Sequence, residues 1–225
     1  MPIARNRDLH GFAPDRSSMA VLILDMISDF EFEDGAAVFR AALPIARRIA
    51  RLRERAAAAG VPVVYVNDNH GRWRSDFAGL LRHCLQDGVR GAPIARLLAP
   101  RPQDYCILKP KHSAFFGTVL GTLLEYIGAR RLVLTGVSSS QCVLFSANDA
   151  YVRDLELLIP RDCIASHAAA ATRLANRYFR SVLHADLAIS TRLRLARTMP
   201  RKAAIKAGRA AAPRRRGGRR AARRD

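Results

Sequence analysis

Met19-Ala-Val-Leu-Ile-Leu-Asp25 is an apolar run closed by a carboxylate. Its length and branched side chains suit a strand buried on both faces, the situation of a parallel sheet covered by helices. The period then changes. Val38, Phe39, Ala42, Ile45, Ala46, Ile49 and Leu52 recur at helical spacing across residues 36–59, with Arg47, Arg48, Arg51, Arg53 and Arg55 between them, and Gly60 stops the helix. A second buried strand follows at 62–66, then a polar loop at 67–77 and a short helix at 76–84. Beyond a stretch interrupted by glycine and proline, a third strand is expected at 104–109, stopped by Pro110. A helix at 118–127 closes on Gly128, and a fourth strand at 131–135 runs into a tight loop at 136–141. Helices at 142–152 and 168–184 and strands at 155–159 and 186–189 complete the body. Strands alternating with helices imply βαβ units, and right-handed crossovers leave a doubly wound, mostly parallel α/β sheet.

The bulk properties agree. The chain has 225 residues, 49% hydrophobic and 25% charged, enough to bury one sizeable core. No apolar run approaches the ~18 residues of a membrane span, and the opening residues carry no secretory h-region. Four cysteines without CxxC pairs exclude a disulfide framework and a zinc ribbon, so a reducing cytoplasm is expected. The net charge is +19, but residues 201–225 hold 11 basic residues and one acid. The chain therefore reads as one domain over 1–200 and a disordered Arg/Ala-rich tail over 201–225.

In open parallel sheets, ligands bind beyond the carboxyl ends of the strands. Asp25, Asn67-Asp68-Asn69-His70, Lys109 and Gly136-Val-Ser-Ser-Ser-Gln-Cys142 fall at those ends. An acid, a cation and a thiol thus meet at one edge. A thiol is a weak nucleophile until it loses its proton; a helix N-terminus and a nearby cation are expected to lower its pKa. Asp25 would take the proton, Lys109 would hold the carboxylate and the thiolate, and N–H groups of the Gly136–Cys142 turn would receive an oxyanion. Cys84, Cys106 and Cys163 read as structural, Lys111 as a solvated rival to Lys109, and Asp29 as the next acid in sequence. Phe30, Asn69, Trp73 and Phe115 are candidate walls of the pocket. No Gly-rich phosphate motif follows the first strand, so no organic cofactor is expected.

Three segments carry a resemblance. Leu24-Asp-Met-Ile-Ser-Asp-Phe30, Lys109-Pro-Lys-His-Ser-Ala-Phe-Phe-Gly-Thr118 and Gly136-Val-Ser-Ser-Ser-Gln-Cys-Val143 with Ala147-Asn-Asp-Ala150 resemble, in order, the acid, lysine and nucleophile motifs of the isochorismatase-like cysteine hydrolases. Nicotinamidase and N-carbamoylsarcosine amidase are members of that superfamily. The likeness runs from about residue 9 to residue 189. It implies a three-layer α/β/α sandwich around a six-stranded, mainly parallel sheet, and a triad of Asp25, Lys109 and Cys142. It also implies a cis peptide before Ser138, with the Ser138 and Cys142 amides as oxyanion hole, and hydrolysis of a C–N bond through a thioester. Family members that hydrolyse isochorismate lack the cysteine, so Cys142 points to another substrate.

The leading expectation is an amidohydrolase of small molecules that works with further copies of the same chain. Two alternatives stand beside it. Family nicotinamidases hold a metal through an Asp-x-His pair and further histidines; Asp68 and His70 have that spacing, but no second histidine follows within the loop. The tail over 201–225 would give sequence-independent contact with nucleic acid, though it has no aromatics for stacking.

Overall fold

The computed structural model describes residues 15–197; the expected boundary at residue 200 and the basic tail lie outside the described residues. Six parallel strands form the sheet, in the order β3-β2-β1-β4-β5 with β6 paired to β4. The strands are β1 Met19–Leu24, β2 Val63–Asp68, β3 Tyr105–Lys109, β4 Arg131–Val137, β5 Glu156–Leu158 and β6 Ile164–Ala165. The helices are α1 Gly35–Ala58, α2 Phe77–Cys84, α3 Ala92–Leu97, α4 Leu120–Ile127, α5 Cys142–Tyr151 and α6 Ala169–Ser181.

β1 lies between β2 and β4, with Val21 opposite Val63 on one side and Val133 on the other. All six of its residues are fully buried. Alternation along the strand divides them between two cores. Met19, Val21 and Ile23 pack with Ala42, Ile45 and Ile49 of α1. Ala20, Leu22 and Leu24 pack with Leu120 and Leu124 of α4, Val143 and Ala147 of α5, and Phe179 of α6. Each such aliphatic side chain contributes ~1.5–3 kcal/mol by leaving water, so the three-layer sandwich follows from the run at residues 19–24. Among the described residues, no helix is long and apolar enough to cross a membrane.

The structure departs from the expected elements in four places. The stretch between α2 and β3 contains α3, with Pro93 in its first turn, where the missing N–H costs nothing. The strand expected at 186–189 reduces to one bridge between Leu158 and Asp186. The sixth strand is instead Ile164–Ala165, paired with Gly136 and Val137, and two residues are too few to show a period. β4 also runs two residues further than expected, through Gly136. Finally, Arg53 is not on the solvated face of α1. It is 8% exposed, and its guanidinium donates to Tyr65 Oη at 2.9 Å and to the carbonyls of Ala99 at 2.9 Å and Leu97 at 3.4 Å. Those carbonyls end α3, so Arg53 satisfies orphan acceptors while tying helix to sheet. Burial pushes the Tyr65 hydroxyl up to about 12, against the opposing pull of Arg53.

Gly136 is where strand packing requires glycine. Its φ is +109°, and a Cβ there would lie 2.0 Å from the Leu24 carbonyl oxygen. Gly71 also has a positive φ, +71°, but a Cβ there would meet nothing within 4 Å. Gly136→Ala is therefore expected to cost about 3 kcal/mol or more and Gly71→Ala only ~1 kcal/mol. Thermal melts followed by circular dichroism check this; equal midpoints for the two variants would refute the packing argument.

Candidate active site

Asp25 leaves β1 in the left-handed region, at φ 52°, a conformation uncommon outside glycine that stores strain at this strand end. Its N–H donates to the Val66 carbonyl at 3.1 Å, and its Oδ1 accepts the Asp68 N–H at 2.7 Å. The carboxylate is thus fixed by the neighbouring strand. Lys109 ends β3 directly opposite Asp68. Its side chain is fully buried. The ammonium lies 3.0 Å from Asp25 Oδ2 and 3.3 Å from Asp68 Oδ2, and donates to Cys142 Sγ at 3.5 Å. Asp25 Oδ2 accepts no well-aligned hydrogen bond, so its contact with the ammonium is chiefly electrostatic.

The thiol is delivered by the turn between β4 and α5. Gly136 lies against Leu24 in register. The Val137–Ser138 peptide is cis. β6 then clamps the turn, because Gly136 N–H donates to Cys163 O at 2.9 Å and Ser139 N–H to Ala165 O at 2.7 Å. The Ser138 carbonyl accepts N–H bonds from Gln141 and Val143, both at 3.1 Å, which closes the loop onto the first turn of α5. The Ser138 hydroxyl is taken up by Ser166 Oγ at 2.6 Å. Cys142 is the first residue of α5.

Burial, then the Asp25 carboxylate, push the Cys142 thiol well up, while Lys109 pulls the other way. Burial opposes the charge on Lys109, but Asp25, Cys142 and Asp68 together hold it protonated. The expectation that lysine and helix terminus would lower the thiol pKa is therefore corrected. Two carboxylates share one ammonium, and what reaches the sulfur does not offset its burial, so the resting thiol is neutral. Burial also pushes up Cys84 and Cys163, each to about 12, and Cys106 to about 11.

Asp25, Asp68, Cys142, Phe30, Phe32 and His112 are among the residues that line a cavity of ≈ 250 Å³. Of the expected walls, Phe30 is there and three are not. Trp73 is 80% exposed and lies with Arg72, Arg74 and Arg82 in a separate surface recess. Phe115 points into the core beneath α4, with the Arg153 guanidinium 4.8 Å over its ring. Asn69 is used in the loop, its N–H donating to Lys109 O at 3.0 Å and its Oδ1 accepting from Gly71 N–H at 2.9 Å. Sequence reading missed His112, whose Nδ1 is 3.7 Å from Cys142 Sγ and whose ring centre is 5.3 Å from that of Phe145. Its sequence signal was its place three residues past the strand-end lysine. Asn67 was missed as well; it is buried, lines the cavity, and donates from Nδ2 to Ile27 O at 2.7 Å, holding the loop after Asp25.

Asp29 stands outside this cavity. Burial raises its carboxyl, but the Glu31 N–H and the His83 ring outweigh that and hold it low. Lys111 is exposed in the loop. Asp68 and His70 do not fit a metal. Asp68 Oδ1 accepts the His70 N–H at 2.6 Å and Oδ2 faces the Lys109 ammonium. Both oxygens are thereby committed, and among the described residues no three His, Cys, Asp or Glu side chains converge as metal ligands.

Comparison with known proteins agrees with this architecture. Residues 19–187 match the family model of the isochorismatase domain. The chain is 38% identical over 172 residues to the isochorismatase family protein YaaI of Bacillus subtilis, covering 76% of this chain and 94% of YaaI. It is 28% identical over 162 residues to the ureidoacrylate amidohydrolase RutB of Methylorubrum extorquens, covering 62% of this chain and 63% of RutB. The crystal structure of N-carbamoylsarcosine amidase from Thermoplasma acidophilum superposes with a TM-score of 0.61 at 25% identity, covering 78% of this chain and 98% of the amidase. On these grounds the chain belongs to the isochorismatase family of hydrolases.

Proposed function

We propose that the chain hydrolyses amide or ureido C–N bonds of small molecules through a thioester on Cys142. One observation carries the reading: a single buried ammonium, that of Lys109, contacts both the Asp25 carboxylate and the Cys142 sulfur at the wall of a closed cavity. The amide and ureido class is supported by the names of RutB and N-carbamoylsarcosine amidase. A cavity of ≈ 250 Å³ suits a small acyl group rather than a peptide segment.

In this reading Asp25 accepts the thiol proton as the sulfur attacks the substrate carbonyl. The neutral resting thiol makes proton transfer part of the attack rather than a prior equilibrium. It also leaves little thiolate exposed to oxidation between turnovers. The N–H groups of Ser138 and Cys142 receive the developing oxyanion. Collapse of the tetrahedral adduct breaks the C–N bond, and Asp25 returns the proton to the leaving amine. Lys109 keeps a positive charge beside the carboxylate and the sulfur throughout, so neither becomes an isolated buried anion. Phe30 and Phe32 wall the cavity and exclude water from the first step.

Two sets of variants test this. Ammonia release from a panel of amides and ureides should be abolished in Cys142→Ser and retained in Cys106→Ser, whose thiol lies outside the cavity. Loss in the latter alone would overturn the assignment of the nucleophile. Asp25→Asn should lower turnover by ~10²–10⁴ yet speed alkylation of Cys142 by chloroacetamide. The carboxylate raises the thiol pKa; removing its charge lowers that pKa and moves the alkylation midpoint to lower pH. Normal turnover in Asp25→Asn would move the base role to another group.

A further inference from the structure

We propose that His112 takes the proton from the water that hydrolyses the Cys142 thioester. This rests on the thioester reading above and names the base of its second half. Once the amine has left, the sulfur is acylated and Asp25 is again a carboxylate. Its Oδ1 is held by the Asp68 N–H at 2.7 Å, and the ammonium lies 3.0 Å from Oδ2. The inner side of the site is closed by Lys109, which is fully buried. Water must therefore come from the solvent side.

On that side stands His112. It is exposed to solvent, it lines the cavity, and its Nδ1 is 3.7 Å from Cys142 Sγ. The acyl carbon is one bond from that sulfur, so a water hydrogen-bonded to Nδ1 lies within reach of it. The imidazole is held in place by its neighbours. Its ring lies 5.3 Å from the Phe145 ring at 42°. The next residue, Ser113, donates to Asp149 and accepts the Phe115 N–H at 3.1 Å, which fastens the loop to α5.

The step balances. The water oxygen bonds to the acyl carbon as its proton passes to Nδ1, forming an oxyanion and an imidazolium. The oxyanion collapses, the C–S bond breaks, and the Cys142 thiolate leaves beside Lys109. The imidazolium returns the proton to the sulfur it already contacts, and the carboxylic acid departs. Thiol and neutral imidazole are restored with no other reactant.

p-Nitrophenyl acetate tests this without knowledge of the natural substrate. Wild-type protein should show a burst of p-nitrophenolate from acylation of Cys142, then a steady rate set by deacylation. His112→Gln and His112→Phe should keep the burst amplitude and slow the steady rate by ~10-fold or more. Acetylated Cys142 should accumulate in both, seen by peptide mass spectrometry. The phenylalanine variant keeps the ring against Phe145, so its defect reports proton transfer rather than packing. Variants with the wild-type steady rate and no acetyl-Cys142 would overturn the assignment. Variants that lose the burst would place His112 in the first step and overturn it also. A wild-type protein that is never acetylated at Cys142 would overturn the thioester reading, and this inference with it.

Discussion

A fully buried ammonium at the end of β3 organises this molecule. Taking a lysine out of water costs several kcal/mol unless opposite charge surrounds it. Lys109 meets that demand with Asp25 and Asp68. The two acids come from the ends of β1 and β2, so the ion cluster joins the termini of three adjacent strands. The sulfur at the start of α5 completes it from β4. Parallel strands bring these ends together by topology, and the cluster then penalises any shift of one strand against its neighbours.

That explains which parts of the site were legible in the chain. Asp25, Lys109 and Cys142 end or follow runs whose burial is written in their composition, so their positions follow from the sheet. The loop side chains do not. Trp73 and Phe115 lie close in sequence to the strand ends, yet one points to water and the other into the core beneath α4. Spacing carries no information on loop direction, because no period constrains it. His112 entered the cavity for the same reason that Phe115 did not: the loop turns between them, with Ser113 fastened to α5. Arg53 was hidden by its chemistry, since a guanidinium at a helical position reads as solvated until the carbonyl ends of another helix approach it.

The short sixth strand shows how little pairing is needed to place a nucleophile. Ile164 and Ala165 fall below any detectable pattern, but with Cys163 they hold both ends of the Gly136–Ser139 segment. Ser166, one residue on, bonds the hydroxyls of Ser138 and Ser140. Local order at the thiol is thus shared by two segments distant in sequence, and loosening one frees the other. The elevated pKa of the thiol belongs to the same economy of structure: a sulfur so enclosed is quiet until a carbonyl arrives.

The position of Trp73 bears on how the protein is observed. It is the only tryptophan in the chain, and it is 80% exposed on the loop after β2. Its indole is already in water in the native state, so its emission would change little when the two cores melt. Intrinsic fluorescence would then report the surroundings of one surface loop, and a flat signal in denaturant would not mean an intact sheet. The tyrosine at position 65, fully buried beside the Arg53 guanidinium, is the better native chromophore, and near-ultraviolet dichroism the better window on this core.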